Sequence, residues 1–121
     1  MKKIIIDIDN TITIEDNKIP YSSKKPNKKV IDKIKEYKKL NFEIILFTSR
    51  NMRSFNGDIS KINKITLPII LKWLDKNKVP YDGIVIGKPW CGTKGFYVDD
   101  KAIRPDEFIN LNYNEIKKII K

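Results

Sequence analysis

Residues 4–8 read Ile-Ile-Ile-Asp-Ile. Alternate side chains of a strand point to opposite faces, and this β-branched run is apolar on both. It predicts a central strand of a parallel sheet, covered by helices. Phe42–Phe47, Ile84–Ile86 and Phe96–Val98 predict three more strands. Val30, Ile31, Ile34, Tyr37 and Leu40 form one helical stripe after Pro26, which suits the first position of a helix. Ile62, Ile65, Ile69, Ile70, Leu71, Trp73 and Leu74 form a second, delayed or kinked by Pro68. A last helix is predicted over Asn112–Ile120. Ile12, Ile14 and Ile19 around Asp16-Asn17 predict a small β-hairpin flap at about 12–21. Strands alternating with helices imply an α/β fold, three-layered and Rossmann-like, with helices on both faces of a mostly parallel sheet. A chain of 121 residues forms one domain, 1–121, with a core that needs no staples.

Composition then removes whole classes of chemistry. The chain has no histidine, which excludes Ser-His-Asp and Cys-His machinery and His-ligated zinc. Its one cysteine, Cys91, excludes an internal disulfide and multi-cysteine metal clusters, and no role is expected for it. Carboxylates, hydroxyls, lysine, arginine and a hard metal ion remain.

The net charge is +10, from 25 basic and 15 acidic residues. Of the basic residues 22 are lysines, and isoleucine and asparagine are also abundant, which points to AT-rich codons and solvated lysine faces. A positive surface favours anionic substrates, but a nucleic-acid partner is disfavoured because the chain lacks an aromatic-basic stripe. The apolar run after Met1-Lys2-Lys3 meets Asp7 at once, unlike a signal peptide, and no stretch approaches the roughly 20 apolar residues of a membrane span. No membrane partner and a cytoplasmic location are expected.

Ligands of open parallel sheets bind beyond the carboxyl ends of the strands. Strand one delivers Asp7, Asp9 and Thr11 there, strand two Thr48 and Ser49, strand three Lys88, and strand four Asp99 and Asp100. Clustered carboxylates repel one another, and a divalent cation relieves that; oxygen ligands suit Mg²⁺. This set fits phosphoryl transfer through an aspartyl-phosphate. One carboxylate attacks phosphorus, Asp9 carries the proton, Thr48 binds a phosphoryl oxygen and Lys88 neutralises developing charge. Arg50 and Arg53, in a chain that barely uses arginine, offer planar donors for a carboxylate or a second phosphate. Trp90 and Tyr97 are expected to pack in the core.

Asp7-Ile8-Asp9-Asn10-Thr11 resembles the DxDxT motif of the haloacid dehalogenase (HAD) superfamily. Thr48, Lys88 in Gly87-Lys88-Pro89, and Asp99-Asp100 after Val98 resemble its second, third and fourth motifs, in order. The resemblance implies Asp7 as nucleophile and Mg²⁺ ligand, and Asp9 as general acid/base with its carbonyl on the metal. It implies Asp100 as the direct carboxylate ligand, with Asp99 acting through water, or the reverse. Thr11, Ser49, Arg50 and Arg53 are candidate substrate-binding residues. No cap domain fits between Thr11 and Val30 or between Arg50 and Ile84. That disfavours a mutase and is compatible with a homo-oligomer that closes the site.

The short chain, with Ile-Gly-Lys-Pro followed by Tyr-Val-Asp-Asp, resembles the small capless phosphatases of capsule-polysaccharide biosynthesis. The implied substrate is a small-molecule phosphomonoester, a phosphorylated sugar or a phosphate on a sugar nucleotide. The rivals are a polynucleotide end phosphatase, a receiver-like phospho-accepting domain and a binding protein. The receiver is rejected on motif order: strand two ends in Thr48 rather than aspartate, and the last strand ends in Asp-Asp.

Overall fold

The computed structural model describes residues 2–121, which divide into two compact units, one ending at Trp90 and the other spanning Cys91–Lys121. The first unit is built on a parallel sheet in which β1 (Lys3–Asp7), β2 (Glu43–Thr48) and β3 (Gly83–Ile86) lie in that order. Ile4 pairs with Ile44, Ile6 with Leu46 and Thr48 with Ile86, so all three strands end at one edge. Along β2 the side chains of Ile44, Leu46 and Thr48 are buried, while Glu43, Ile45 and Phe47 are only half-buried. The α/β class with a parallel sheet is as the sequence predicts, but among the described strands β2 rather than β1 is central: β1 lies at an edge, and its Ile5 is 62% exposed.

Helix α1 (Lys28–Lys39) starts at Asn27, whose side chain accepts from the Val30 N–H. Pro26 therefore stands one residue before the cap rather than at the first helical position. There it bridges to Thr13 in antiparallel fashion, where its missing N–H does no harm. Helix α1 buries Val30, Ile31, Ile34 and Tyr37; each contributes about 1.5–3 kcal/mol by leaving water. A second helical run starts as α2 (Ile59–Lys61), widens to a π stretch over Ile62–Thr66 and continues as α3 (Leu67–Lys76). Pro68 explains the widening. Its ring would clash with the carbonyl four residues back, and a wider turn relieves that without ending the helix.

The flap differs from a hairpin. It is a loop closed by the single Thr13–Pro26 bridge, with Ile14 N–H donating to the Lys25 carbonyl (2.8 Å) and Asn27 N–H to that of Ile12 (2.7 Å). A 3₁₀ turn at Tyr21–Ser23 takes the place of a returning strand. Lys24 anchors the loop: its buried ammonium donates to Glu15 Oε1 (3.1 Å) and the Asp16 carbonyl (2.7 Å). Its own carbonyl accepts from the Trp73 indole of α3 (2.7 Å).

Asp82 clips the start of the sheet. Its carboxylate accepts from Lys38 Nζ (2.8 Å to each oxygen) and from the Ile44 N–H (2.7 Å). These partners, Lys38 foremost, hold its pKa below the ordinary carboxylate value. The stability it contributes is present above the unfolded value near 3.8 and is lost as pH falls through the folded one. Asp82→Asn is expected to melt slightly earlier than wild type at neutral pH. The gap should close in melts taken below the folded pKa.

The second unit holds α4 (Pro105–Asn110) and α5 (Tyr113–Ile119). Asn112 and Glu115 cap α5 reciprocally, as the predicted helix requires. Helix α4 was not anticipated; six residues carry too little periodicity, although Pro105 followed by Asp106-Glu107 is a start signal. The predicted fourth strand is not formed. Phe96 and Val98 are 79% and 88% exposed, and the second unit contains no other strand for such a short segment to pair with. Among the described residues no helix is long and apolar enough to cross a membrane.

Candidate functional site

The carboxyl edge of the first unit's sheet brings together Asp7, Asp9, Thr11, Thr48, Arg50 and Lys88; the predicted Asp99 and Asp100 belong to the second unit. The chain leaves β1 through a tight turn in which the Ile8 carbonyl accepts from the N–H groups of Thr11 (3.2 Å), Ile12 (2.9 Å) and Thr13 (3.1 Å). Asn10 takes a left-handed conformation (φ 59°) inside this turn, and its N–H donates to Thr13 Oγ1 (3.0 Å). Ile8 and Ile12 are fully buried beneath it. Two carboxylates, Asp7 and Asp9, thus stand on a rigid turn at the end of an apolar strand.

Each carboxylate has its own cation and hydroxyl. Lys88 Nζ donates to Asp7 Oδ1 (3.4 Å) and Thr11 Oγ1 to Asp7 Oδ2 (3.2 Å). Thr48 Oγ1 donates to Asp9 Oδ2 (3.3 Å) and accepts from the Arg50 N–H (3.0 Å). Arg50 grips Asp9 through Nη2 to Oδ1 (2.7 Å) and through Nε, 3.2 Å from both oxygens. Lys88 is delivered by Gly87, whose φ of +84° suits glycine; a Cβ there would lie 2.7 Å from Ile59 Cδ1. The Lys88 N–H donates to the Thr48 carbonyl (3.0 Å), so the loop after β3 stays pinned to β2.

Burial pushes the Asp7 carboxyl above its ordinary pKa; Lys88 pulls it down, and the neighbouring Asp9 pushes it up again. Asp7 is therefore short of positive charge.

The other predicted residues are placed as follows. Ser49 is half-buried, and its carbonyl accepts from the Met52 N–H (3.0 Å). Arg53 is exposed and lies over the Trp90 ring, 5.3 Å from its centroid. Trp90 and Tyr97 are 42% and 51% exposed rather than core residues. The cation over its ring suits Trp90 to the surface. Asp99 and Asp100 lie in the second unit, both exposed, with Asp99 Oδ1 accepting from the Lys101 N–H (2.9 Å). The ring of Tyr21, at the end of the flap, covers the Arg50 guanidinium at 4.2 Å, and the Tyr-Ser-Ser turn carries no sequence signal of that contact.

No protein-family model and no curated protein matches the chain. A Vibrio cholerae protein solved as an MCSG target is 51% identical and superposes with a TM-score of 0.96, over 99% of this chain and 97% of that one. Two structures of the Pnkp1/Rnl/Hen1 complex, the first described as an RNA repair complex, each contain a chain of similar fold. One is 20% identical at a TM-score of 0.51 over 70% of this chain and 25% of that one. The other is 19% identical at 0.53 over 82% and 30%. At such identities the likeness is one of fold, and the fold is HAD-like.

Proposed function

Since the chain belongs to the same family as the Vibrio cholerae protein, and its fold is HAD-like, we propose that it is a metal-dependent phosphomonoesterase working through an aspartyl-phosphate at Asp7. One observation carries this reading. Asp7 and Asp9 stand two residues apart at the end of a parallel strand; Asp7 is held by Lys88 from the end of β3 and by Thr11 of its own turn, and Asp9 by Thr48 and Arg50 from the end of β2.

Asp7 attacks the phosphorus, and the P–O bond to the leaving alcohol breaks. Asp9 gives its proton to the departing oxygen. It then takes one from the water that hydrolyses the acyl phosphate, so the enzyme returns unchanged. Lys88 neutralises charge on the transferring group without exchanging a proton. Thr48 Oγ1, already aimed at Asp9, stands beside the proton donor.

The donor set fits Mg²⁺. Its oxygens are hard ligands, and Asp7 is a desolvated carboxylate that its lysine only partly compensates. Asp7 and the Asp9 carbonyl would hold the ion. Asp99 and Asp100 enter as ligands on the sequence pattern alone. When bound, the ion supplies charge stabilisation at the phosphoryl oxygens.

For the substrate we favour a phosphorylated sugar or a sugar-nucleotide-linked phosphate of capsule or surface polysaccharide biosynthesis. The capless architecture and the Gly-Lys-Pro and Val-Asp-Asp tracts support it. The second reading is a polynucleotide end, supported by the net charge of +10. Phosphate release by the full chain, with Mg²⁺ and with chelator, tests both. Sugar phosphates, small alcohol phosphates, sugar-nucleotide phosphates and 3′-phosphorylated oligonucleotides form the panel. Chelator is expected to reduce turnover at least about 100-fold. Steep salt dependence on oligonucleotide ends alone would favour the second reading, and chelator-resistant release would overturn the metal assignment.

A further inference from the structure

Arg50 does not behave as a surface arginine. Its side chain is 2% exposed, against 26% for its partner Asp9. Nε and Nη2 are spent on the Asp9 carboxylate, and the flap residue Tyr21 stacks on the planar group. Nη1 is buried with no hydrogen-bond partner. A buried donor left without an acceptor costs on the order of 1–3 kcal/mol, more when charged. An ion pair kept only for stability would be expected to shed that cost, because packed apolar side chains serve as well. Such an orphaned group calls for an explanation, and a catalytic role is one. The cost falls on the one guanidinium that grips the proposed proton carrier.

Geometry shows what the grip achieves. Asp9 lies in the turn that follows β1, with its side chain partly open to solvent. The fork of Arg50 and the hydroxyl of Thr48 fix both its oxygens. The carboxylate is therefore held in one orientation before any substrate arrives. The grip also links the site to the flap. Trp73 holds the Lys24 carbonyl, Lys24 sits three residues from Tyr21, and Tyr21 covers Arg50.

We propose that Arg50 is a positioning residue for Asp9, with Tyr21 as its cover, so that the flap sets the orientation of the group that protonates the leaving oxygen. This rests on the phosphatase reading above. The step is the first half-reaction: the Asp7–phosphorus bond forms, the phosphorus–alkoxide bond breaks, and the Asp9 proton moves to the alkoxide oxygen. An ester whose leaving group departs as a stable anion needs no such proton.

The test compares pre-steady-state release of the leaving group from p-nitrophenyl phosphate and from an alkyl phosphate, with the full chain and Mg²⁺, because the later hydrolysis of the acyl phosphate also uses Asp9 and is common to both esters. Arg50→Lys keeps the charge but loses the fork. It is expected to slow that step for the alkyl ester about 30-fold more than for the nitrophenyl ester, with KM changing less than about threefold. Tyr21→Leu, at an exposed ring, should shift the same ratio in the same direction by a smaller factor, and it carries the test should Arg50→Lys fail to fold. Asp9→Asn should shift that ratio in the same direction, and adding Arg50→Lys to it should cost little more, because the two act as one unit. Equal losses on both esters, or a loss confined to KM, would overturn the positioning role while leaving the phosphatase reading intact. No release from either ester by the wild type, nor from any other phosphomonoester of the panel, would overturn both.

Discussion

Asp7→Asn is expected to abolish phosphate release, by about 10⁴-fold or more, while the protein stays folded and melts at a higher temperature. The loss follows from chemistry: an amide is no nucleophile toward phosphorus and forms no acyl phosphate. The gain in stability follows from electrostatics. Burial raises the Asp7 pKa above its unfolded value of 3.8, and Asp9 adds to the rise. The native state therefore binds the proton more tightly than the unfolded chain. Its contribution is intact below the unfolded pKa and is lost as pH rises through the folded one. At neutral pH the charged carboxylate burdens the fold, and asparagine removes the charge. A rise in Tm on the order of 3 °C is expected without added metal, vanishing in melts below pH 3.8. Active Asp7→Asn protein would sink the covalent mechanism. An inactive variant with lowered Tm would mean that the Lys88 contact outweighs desolvation.

Lys88→Met is expected to lower kcat by about 100- to 1,000-fold, the usual effect of removing one donor from a developing charge. KM should rise less, because the stabilisation is largest when charge is moving. Methionine keeps the length of the stem, so packing after Gly87 is spared. Stability should move opposite to the Asp7 variant. Removing the cation leaves Asp7 with its neighbouring carboxylate and only Thr11 in support. Methionine at 88 should therefore lower Tm, and the double variant with Asp7→Asn should recover most of the loss. Calorimetry on the four proteins of this cycle reads the coupling directly. Unchanged kcat in Lys88→Met would remove lysine from the mechanism.

The parts of the site that topology controls are legible in the chain. Parallel strands end at one edge, so residues 7, 9, 48 and 88 had to approach one another once β1, β2 and β3 were read correctly. What stays hidden depends on choice of partner. Arginine at position 50 announces a planar donor, but sequence does not say whether its carboxylate belongs to a ligand or to Asp9 at the end of the neighbouring strand. Tyr21 lies in a polar stretch with no period to read. Phe96–Val98 has the composition of a strand, but three residues are too few for composition to decide, and no strand forms there. Trp90 follows an apolar run and invites a core assignment; its neighbour Arg53 makes a surface position favourable instead.

The single bridge that closes residues 14–25 has an evolutionary consequence. Two backbone hydrogen bonds at its neck hold the loop's ends together, whatever the length of chain between them. Lengthening such a loop costs little, about 0.6 kcal/mol for each doubling. The strand-end chemistry lies below the neck and would not register the change. New polypeptide could therefore be spliced in beyond Asp16, provided that the Tyr21–Lys24 turn returns to its place. The molecule carries a docking port for new selectivity, and the reacting groups need not be rebuilt to use it.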